Sequence, residues 1–248
     1  MIICKGMQTL FCFSCSADRQ LSAEQGKNPK NLHERVYFSM CVIAISPKGK
    51  RIPSESELLR MWINNPHGGG YMVARHGRVE IHKGFMIWED FIRSVRSEKF
   101  TKNDPVVFHF RIATQGGICP EMTHPFPLTN GNLPIMKALD VVCEIGVAHN
   151  GIIPLTSYAN GCEYSDTALF IDRYLSFLVR SDSDMMNPNI KRMISELGNS
   201  KFALMDHNGN ISTVGIFYNH NGVLLSNENH VFALDYFLKG EDNKCIAF

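Results

Sequence analysis

The chain has 248 residues, enough for one large domain or two small ones with a core that needs no disulfide staples. Its 44% hydrophobic content, 20% charged content and net charge of +1 are those of a soluble globular protein. No run of like charge marks a nucleic-acid or membrane-surface partner, and no stretch has the roughly 18 apolar residues of a transmembrane helix.

Residues 1–39 differ from the rest. An apolar patch, Thr9-Leu10-Phe11-Cys12-Phe13, gives way to a polar stretch from Ser16 to Arg35 with no helical or strand period. Lys5 and the small residues from Ser14 to Ala17 admit a signal peptide, although the apolar core is short and broken by Gln8. Two other readings are stronger. The segment is a propeptide cut before Cys41, or translation starts at Met40 and the initiator is trimmed. Both leave Cys41 as residue one. An N-terminal cysteine carries a thiol nucleophile and its own base, an α-amine with a pKa of roughly 7.7–8.0. Taken alone, Cys41 reads as a buried cysteine opening a core strand.

Residues 41–46 are apolar and β-branched enough for a strand that ends at Pro47-Lys48-Gly49. Ser54 and Glu57 form a capping box, and the helix it starts runs to about Ile63. Asn65-Pro66 and Gly68-Gly69-Gly70 stop that helix. A hairpin around His76-Gly77 joins residues 71–75 and 79–82. Trp88, Phe91, Ile92 and Val95 make the stripe of an amphipathic helix. Strands follow at 106–112 and 144–148, a long helix capped by Ser165, and a second helix at 190–197. Strands and turns close the chain: 202–205, 211–217 and 223–226, with turns at 206–210 and 219–222. Strands, then helices, then strands again imply two sheets with helices outside, an α+β layered sandwich.

The eight cysteines show no disulfide-framework spacing, so reduced thiols and a cytoplasmic location are expected. Cys12-Phe13-Ser14-Cys15 is a lone CxxC, and none of the ten histidines falls in an HxxxH or HExxH pattern. Neither a metal nor another cofactor is expected.

Three segments place polar residues or glycines at the edges of elements. They are residues 109–117, with Arg111, Thr114 and Gln115; residues 147–151, with Asn150 and Gly151; and residues 164–167, with Asp166. Each has an ordinary reading. Arg111 in an apolar strand is more often a structural ion pair, Asn150-Gly151 a hairpin turn, and Asp166 a helix N-terminal carboxylate.

Taken in order, however, these segments resemble the glutaminase domain of class II glutamine amidotransferases, members of the N-terminal-nucleophile hydrolases. The resemblance covers residues 41–227 and is carried by several motifs. These include Met40-Cys41, Asn65-Pro66-His67-Gly68-Gly69-Gly70, His109-x-Arg111-x-x-Thr114-x-Gly116 and Thr123-His124-Pro125-Phe126. His149-Asn150-Gly151, Ser165-Asp166-Thr167, residues 201–206 with Gly209, and Ser226-Asn227 complete the set. It implies a four-layer αββα sandwich and free glutamine as substrate. The glutamine α-carboxylate would meet Arg111 and its α-ammonium Asp166. Cys41 would attack the side-chain amide, and Asn150 with the Gly151 N–H would hold the oxyanion. Backbone around Thr114 and Gln115 would grip the amino-acid end.

No Asn-Gly-Asp triad lies near residue 150, and the family's ammonia-accepting domain is not found before Phe248. The acceptor is therefore expected to be a separate synthase or ligase subunit. Two other readings stay open: an N-terminal-nucleophile amidohydrolase on another γ-glutamyl or acyl amide, and a non-catalytic module whose leader is retained.

Overall fold

Strand β1 (Val42–Ser46) is buried along its whole length, and its side chains divide between two cores. Val42 and Ala44 join one cluster and Ile43 and Ile45 another, as the two-residue period of a strand requires. A strand apolar on both faces has to lie inside a layered structure. In a computed structural model the protein is described over residues 41–113, 117–154 and 163–228. The expectations for residues 1–40, including the CxxC, fall outside these.

The first helix, α1 (Glu55–Asn64), opens on the expected capping box: Glu57 N–H donates to Ser54 Oγ, and Ser54 N–H to the Glu57 carboxylate. Arg51 grips Glu57 with two bonds of 2.7 Å and, with Ser54, holds that carboxyl down at about 2. Strands β2 (Gly69–Arg75) and β3 (Arg78–Phe85) turn at His76 and Gly77, whose φ values of 53° and 69° define a type I′ hairpin. Helix α2 (Trp88–Glu98) and strand β4 (Val106–Phe110) follow.

Past β4 come β5 (Phe126–Pro127), β6 (Asp140–Cys143) and β7 (Ile145–Asn150). Ser165 caps α3 (Asp166–Phe170), which runs through a π-helical turn (Ile171–Leu175) into α4 (Ser176–Leu178). Two more helices, α5 (Asp182–Met186) and α6 (Pro188–Gly198), precede β8 (Lys201–Asp206), β9 (Ile211–Val214), β10 (Tyr218–His220) and β11 (Val223–Leu225).

The strands form two antiparallel sheets, ordered β10-β11-β1-β4-β2-β3-β6 and β5-β7-β8-β9. The fold is mixed α+β. Three apolar clusters fill it. Leu58, Met61, Trp62 and Phe91 of α1 and α2 pack on Tyr71, Phe108 and Phe110 of the larger sheet. Ile43, Met72 and Val107 of the larger sheet meet Ala148, Ala203 and Met205 of the smaller. On its other side the smaller sheet sets Val147, Phe202 and Leu204 against Phe170, Ile171 and Ile194. A small residue lets the sheets approach: a side chain at Gly146 of β7 would stand 2.5 Å from Met72 Sδ and 3.1 Å from Val79 Cγ1 of the larger sheet.

Elements left unassigned by the sequence are short or turn-like. β5 has two residues, β6 alternates exposed and half-buried positions at a sheet edge, and α5 has five residues. Asn219 and His220 lie in β10 rather than in a turn; the reversal occurs at Asn221 and Gly222, with φ of 52° and 90°.

Buried polar groups also link the sheets. His109 Nε2 of β4 lies 2.9 Å from the His149 carbonyl of β7, and His124 Nδ1 lies 3.1 Å from the same oxygen. His124 Nδ1 and His109 Nε2 are 3.0 Å apart, so at most one proton fits between them. His149 Nδ1 meets Thr167 Oγ1 at 2.8 Å. Burial holds all three rings neutral: it lowers His109 to about 3, His149 to about 4, and His124 well below its ordinary value.

This trio makes stability pH-dependent. In the unfolded chain each imidazole takes up a proton near pH 6.5, while in the fold it does so only at lower pH. The folded state is thus fully favoured above about pH 6.5 and loses ground as pH falls toward 4, by up to about 4 kcal/mol per pH unit for three such groups. Urea midpoints are expected to be flat above pH 7 and to fall steeply below 6.5. A midpoint unchanged down to pH 5, or three histidine resonances titrating normally in the native state, would contradict this assignment.

Candidate active site

Cys41 immediately precedes β1, and the register of β1 with β4 fixes what lies beside it. Val42 pairs with Phe110, so Cys41 comes level with the chain just past the end of β4. The Ile112 N–H donates to Cys41 Sγ at 3.3 Å, and the thiol reaches the Ile112 carbonyl at 3.4 Å. From the other side, Asn227 Nδ2 donates to the Cys41 carbonyl at 2.7 Å. The half-buried Cys41 is thereby held between the exits of β4 and β11.

Arg111 follows β4 directly. Its N–H donates to the Gly68 carbonyl at 2.8 Å, and its carbonyl accepts from His67 N–H at 3.0 Å, which prolongs the β2–β4 pairing by two residues. His67 Nδ1 accepts in turn from Ala113 N–H at 2.9 Å. The Arg111 side chain is buried, and its Nη1 donates to the Gly117 carbonyl at 2.9 Å, which fixes the plane of the guanidinium. Thr114 and Gln115 lie outside the described residues.

Asp166 is the first residue of α3. Its Oδ1 accepts from Thr167 N–H at 2.7 Å and its Oδ2 from Ile153 N–H at 3.1 Å. The ordinary reading of a helix-start carboxylate is therefore correct as far as it goes. Asp166 also tethers the chain just beyond Gly151.

Electrostatics bring Cys41, Arg111 and Asp166 into one site. Burial pushes the Cys41 thiol up; the Ile112 N–H and the Arg111 charge pull it down, and Asp166 pushes it up again. Burial lowers Arg111, and the charges of Cys41, Cys119 and Asp166 oppose that. Burial wins at the thiol, so the resting group is protonated at neutral pH and requires a base for attack. The charges of Arg111 and Asp166 thus both act on the half-buried Cys41 thiol, in opposite directions.

Asn150 ends β7 and is 1% exposed. The ordinary reading of Asn150-Gly151, a hairpin turn, does not hold. Asn150 pairs with Lys201 across the smaller sheet, and Gly151 leaves the strand with φ of 143°. A side chain at Gly151 would also meet Ser200 Oγ at 2.5 Å, so both backbone shape and space demand glycine here.

Asn150 lies on the face of β7 turned to the larger sheet, the face of Ala148, and its Nδ2 is 2.8 Å from Ser226 Oγ. Ser226 and Asn227 were legible as a motif without an assigned role; the structure joins the first to Asn150 and the second to Cys41. His67 was likewise quoted within a motif, and its backbone and ring secure the segment carrying Arg111.

Among the described residues no group of three or more histidine, cysteine, aspartate or glutamate side chains is placed to hold a metal ion, and no helix is long and apolar enough to cross a membrane. Comparison with models of known families gives no match, and no curated protein matches the chain.

Proposed function

We propose that the chain is a glutaminase of the class II amidotransferase type, built as a four-layer αββα N-terminal-nucleophile hydrolase. It releases ammonia from glutamine through a thioester on Cys41, for use by an acceptor such as a synthase or ligase. The observation that carries this reading is the meeting of three groups. A half-buried thiol just before a doubly buried strand feels the charges of a buried guanidinium, Arg111, and of a helix-start carboxylate, Asp166. Free glutamine presents the complementary pair of charges on its α-carbon. The three stacked apolar cores support the layered architecture, and free Cys41, Cys119 and Cys143 suit a reducing, cytoplasmic setting.

In this reading the α-carboxylate binds Arg111 and the α-ammonium binds Asp166, leaving the side-chain amide over Cys41 Sγ. The α-amine of a chain beginning at Cys41 takes the thiol proton, directly or through water, and the thiolate adds to the amide carbon. The tetrahedral oxyanion lies between the Asn150 amide and the Gly151 N–H. The amine returns the proton to the departing nitrogen, so ammonia leaves and a γ-glutamyl thioester remains. Water then adds to the thioester, giving glutamate and the free thiol. An amidohydrolase on another γ-glutamyl or acyl amide is the second reading. The presence of both Arg111 and Asp166 favours free glutamine over a substrate lacking one of those charges.

Processing is tested first. Active protein made from the native gene should have the mass of a chain beginning at Cys41, since only a terminal cysteine brings its own base. Activity in protein retaining residues 1–40 would sink this mechanism.

Substrate contacts are tested by kinetics. Arg111→Lys exchanges a two-pronged fork for a point charge and should raise the KM for glutamine about tenfold or more. Asp166→Asn should act in the same direction through the ammonium. Unchanged KM in both would return Arg111 and Asp166 to purely structural roles.

At the reacting centre, Cys41→Ala should abolish turnover while leaving the fold intact. Asn150→Ala should lower kcat by about 10²-fold with little change in KM, the mark of a contact made in the transition state. A glutamine-like electrophile should label Cys41 and no other cysteine. An adduct mapped elsewhere would require the assignment to be abandoned.

A further inference from the structure

Asn150 and Ser226 form a buried pair with one conspicuous imbalance. Ser226, at the exit of β11, is 0% exposed, and its Oγ accepts from Ile43 N–H at 2.9 Å. It also lies 2.8 Å from Asn150 Nδ2. Asn150 Oδ1 is buried and has no hydrogen-bond partner among the described residues. In this arrangement the serine oxygen accepts twice and its own proton does nothing for the pair. A hydroxyl can accept one bond and donate another, and a carboxamide offers oxygen and nitrogen at nearly identical positions.

A half-turn of the carboxamide resolves this. Ser226 O–H then donates to Oδ1 while still accepting from Ile43 N–H, and Nδ2 takes the place of the partnerless oxygen. One buried polar atom is still open, but it is now a donor. The two alternatives call for different ligands: a partnerless carbonyl oxygen would repel a developing oxyanion, whereas an amide N–H attracts it.

Resting on the glutaminase reading, we propose that Ser226 is a positioning residue. Its hydroxyl holds the Asn150 carboxamide with Nδ2 toward the reacting carbonyl and Oδ1 away from it. The same oxygen is bonded to Ile43, two residues beyond Cys41, so one side chain registers the oxyanion donor of the smaller sheet against the nucleophile strand of the larger. The Ser226 N–H donates to the Ile43 carbonyl at 2.9 Å and completes that clamp.

The test is a double-mutant cycle on the full chain expressed from its native gene, with glutamine hydrolysis and urea midpoints measured for each protein. Ser226→Ala should lower kcat about 10- to 100-fold with the glutamine KM within about twofold of wild type, as expected when a catalytic donor is misaligned. In an Asn150→Ala background the same substitution should cost no further activity, because the group it aligns is gone.

A kcat loss of equal size in both backgrounds, or a lowered midpoint with kcat per folded molecule unchanged, would mark Ser226 as merely structural and overturn the inference alone. If alanine does not fold, Ser226→Cys keeps an atom between Ile43 and Asn150 but donates weakly, and the same comparison applies. A wild type that folds and does not hydrolyse glutamine would overturn the functional reading and this inference together.

Discussion

Everything at the candidate site depends on β1 being buried on both faces. Its five residues have no surface to present, so they are held in register by β4 on one side and β11 on the other. A slip of one residue would exchange Val42 and Ala44 with Ile43 and Ile45 between two differently shaped cores. That constraint fixes the residue before the strand as firmly as those within it. Cys41 inherits its position from the strand while standing just outside the ladder, beside the first irregular residues after β4. A reactive group gains most from this kind of placement, because a rigid element sets its position while its own atoms face the site.

The second constraint is electrostatic. Burial raises the thiol and lowers the guanidinium, so each charged form is disfavoured in isolation. Arg111 favours the Cys41 thiolate, and Asp166 opposes it while favouring the charged Arg111. A substrate carrying one negative and one positive group would neutralise both fixed charges as it binds, leaving the thiol in a less polar and better shielded site. The three neutral histidines behind β4 and β7 follow the same logic. His109 and His124 add hydrogen-bonding capacity between the sheets and His149 adds it between the smaller sheet and α3, none of them adding charge near Arg111.

Much of this was legible in the sequence wherever local rules act alone. The capping box at Ser54 and Glu57, the I′ turn at His76-Gly77 and the stripe of α2 each depend on residues within one or two turns, and each stands where it was expected. Asn150-Gly151 shows where local reading fails. The dipeptide has turn chemistry, but pairing with β8 keeps Asn150 in the strand, and Gly151 is demanded by Ser200, which leads into that neighbouring strand. β5 and β6 were hidden for a related reason, since their short runs acquire meaning only from the strand beside them. The resemblance implies roles for Cys41, Arg111, Asn150, Gly151 and Asp166. It gives no role to Ser226 or Asn227, whose partners are 76 and 186 residues away in the chain.

Those two residues tie β11, the last strand among the described residues, to the candidate site. β11 follows a type I′ turn and pairs with β1 over only two positions, which is little if its purpose were sheet stability. Its exit does more than its ladder. Ser226 makes two backbone bonds with Ile43 and one contact with Asn150, Asn227 holds the Cys41 carbonyl, and Lys201 donates to the Ser226 carbonyl. Four segments distant in sequence, those of Cys41, Asn150, Lys201 and Ser226, are thus joined by side-chain bonds where the two sheets meet. The sheets could hold their relative angle by apolar packing alone, since packing resists separation. It resists sliding much less, because apolar contact has no preferred direction. Directional bonds at this end supply that missing constraint, and they do so where Cys41 of one sheet and Asn150 of the other are both held.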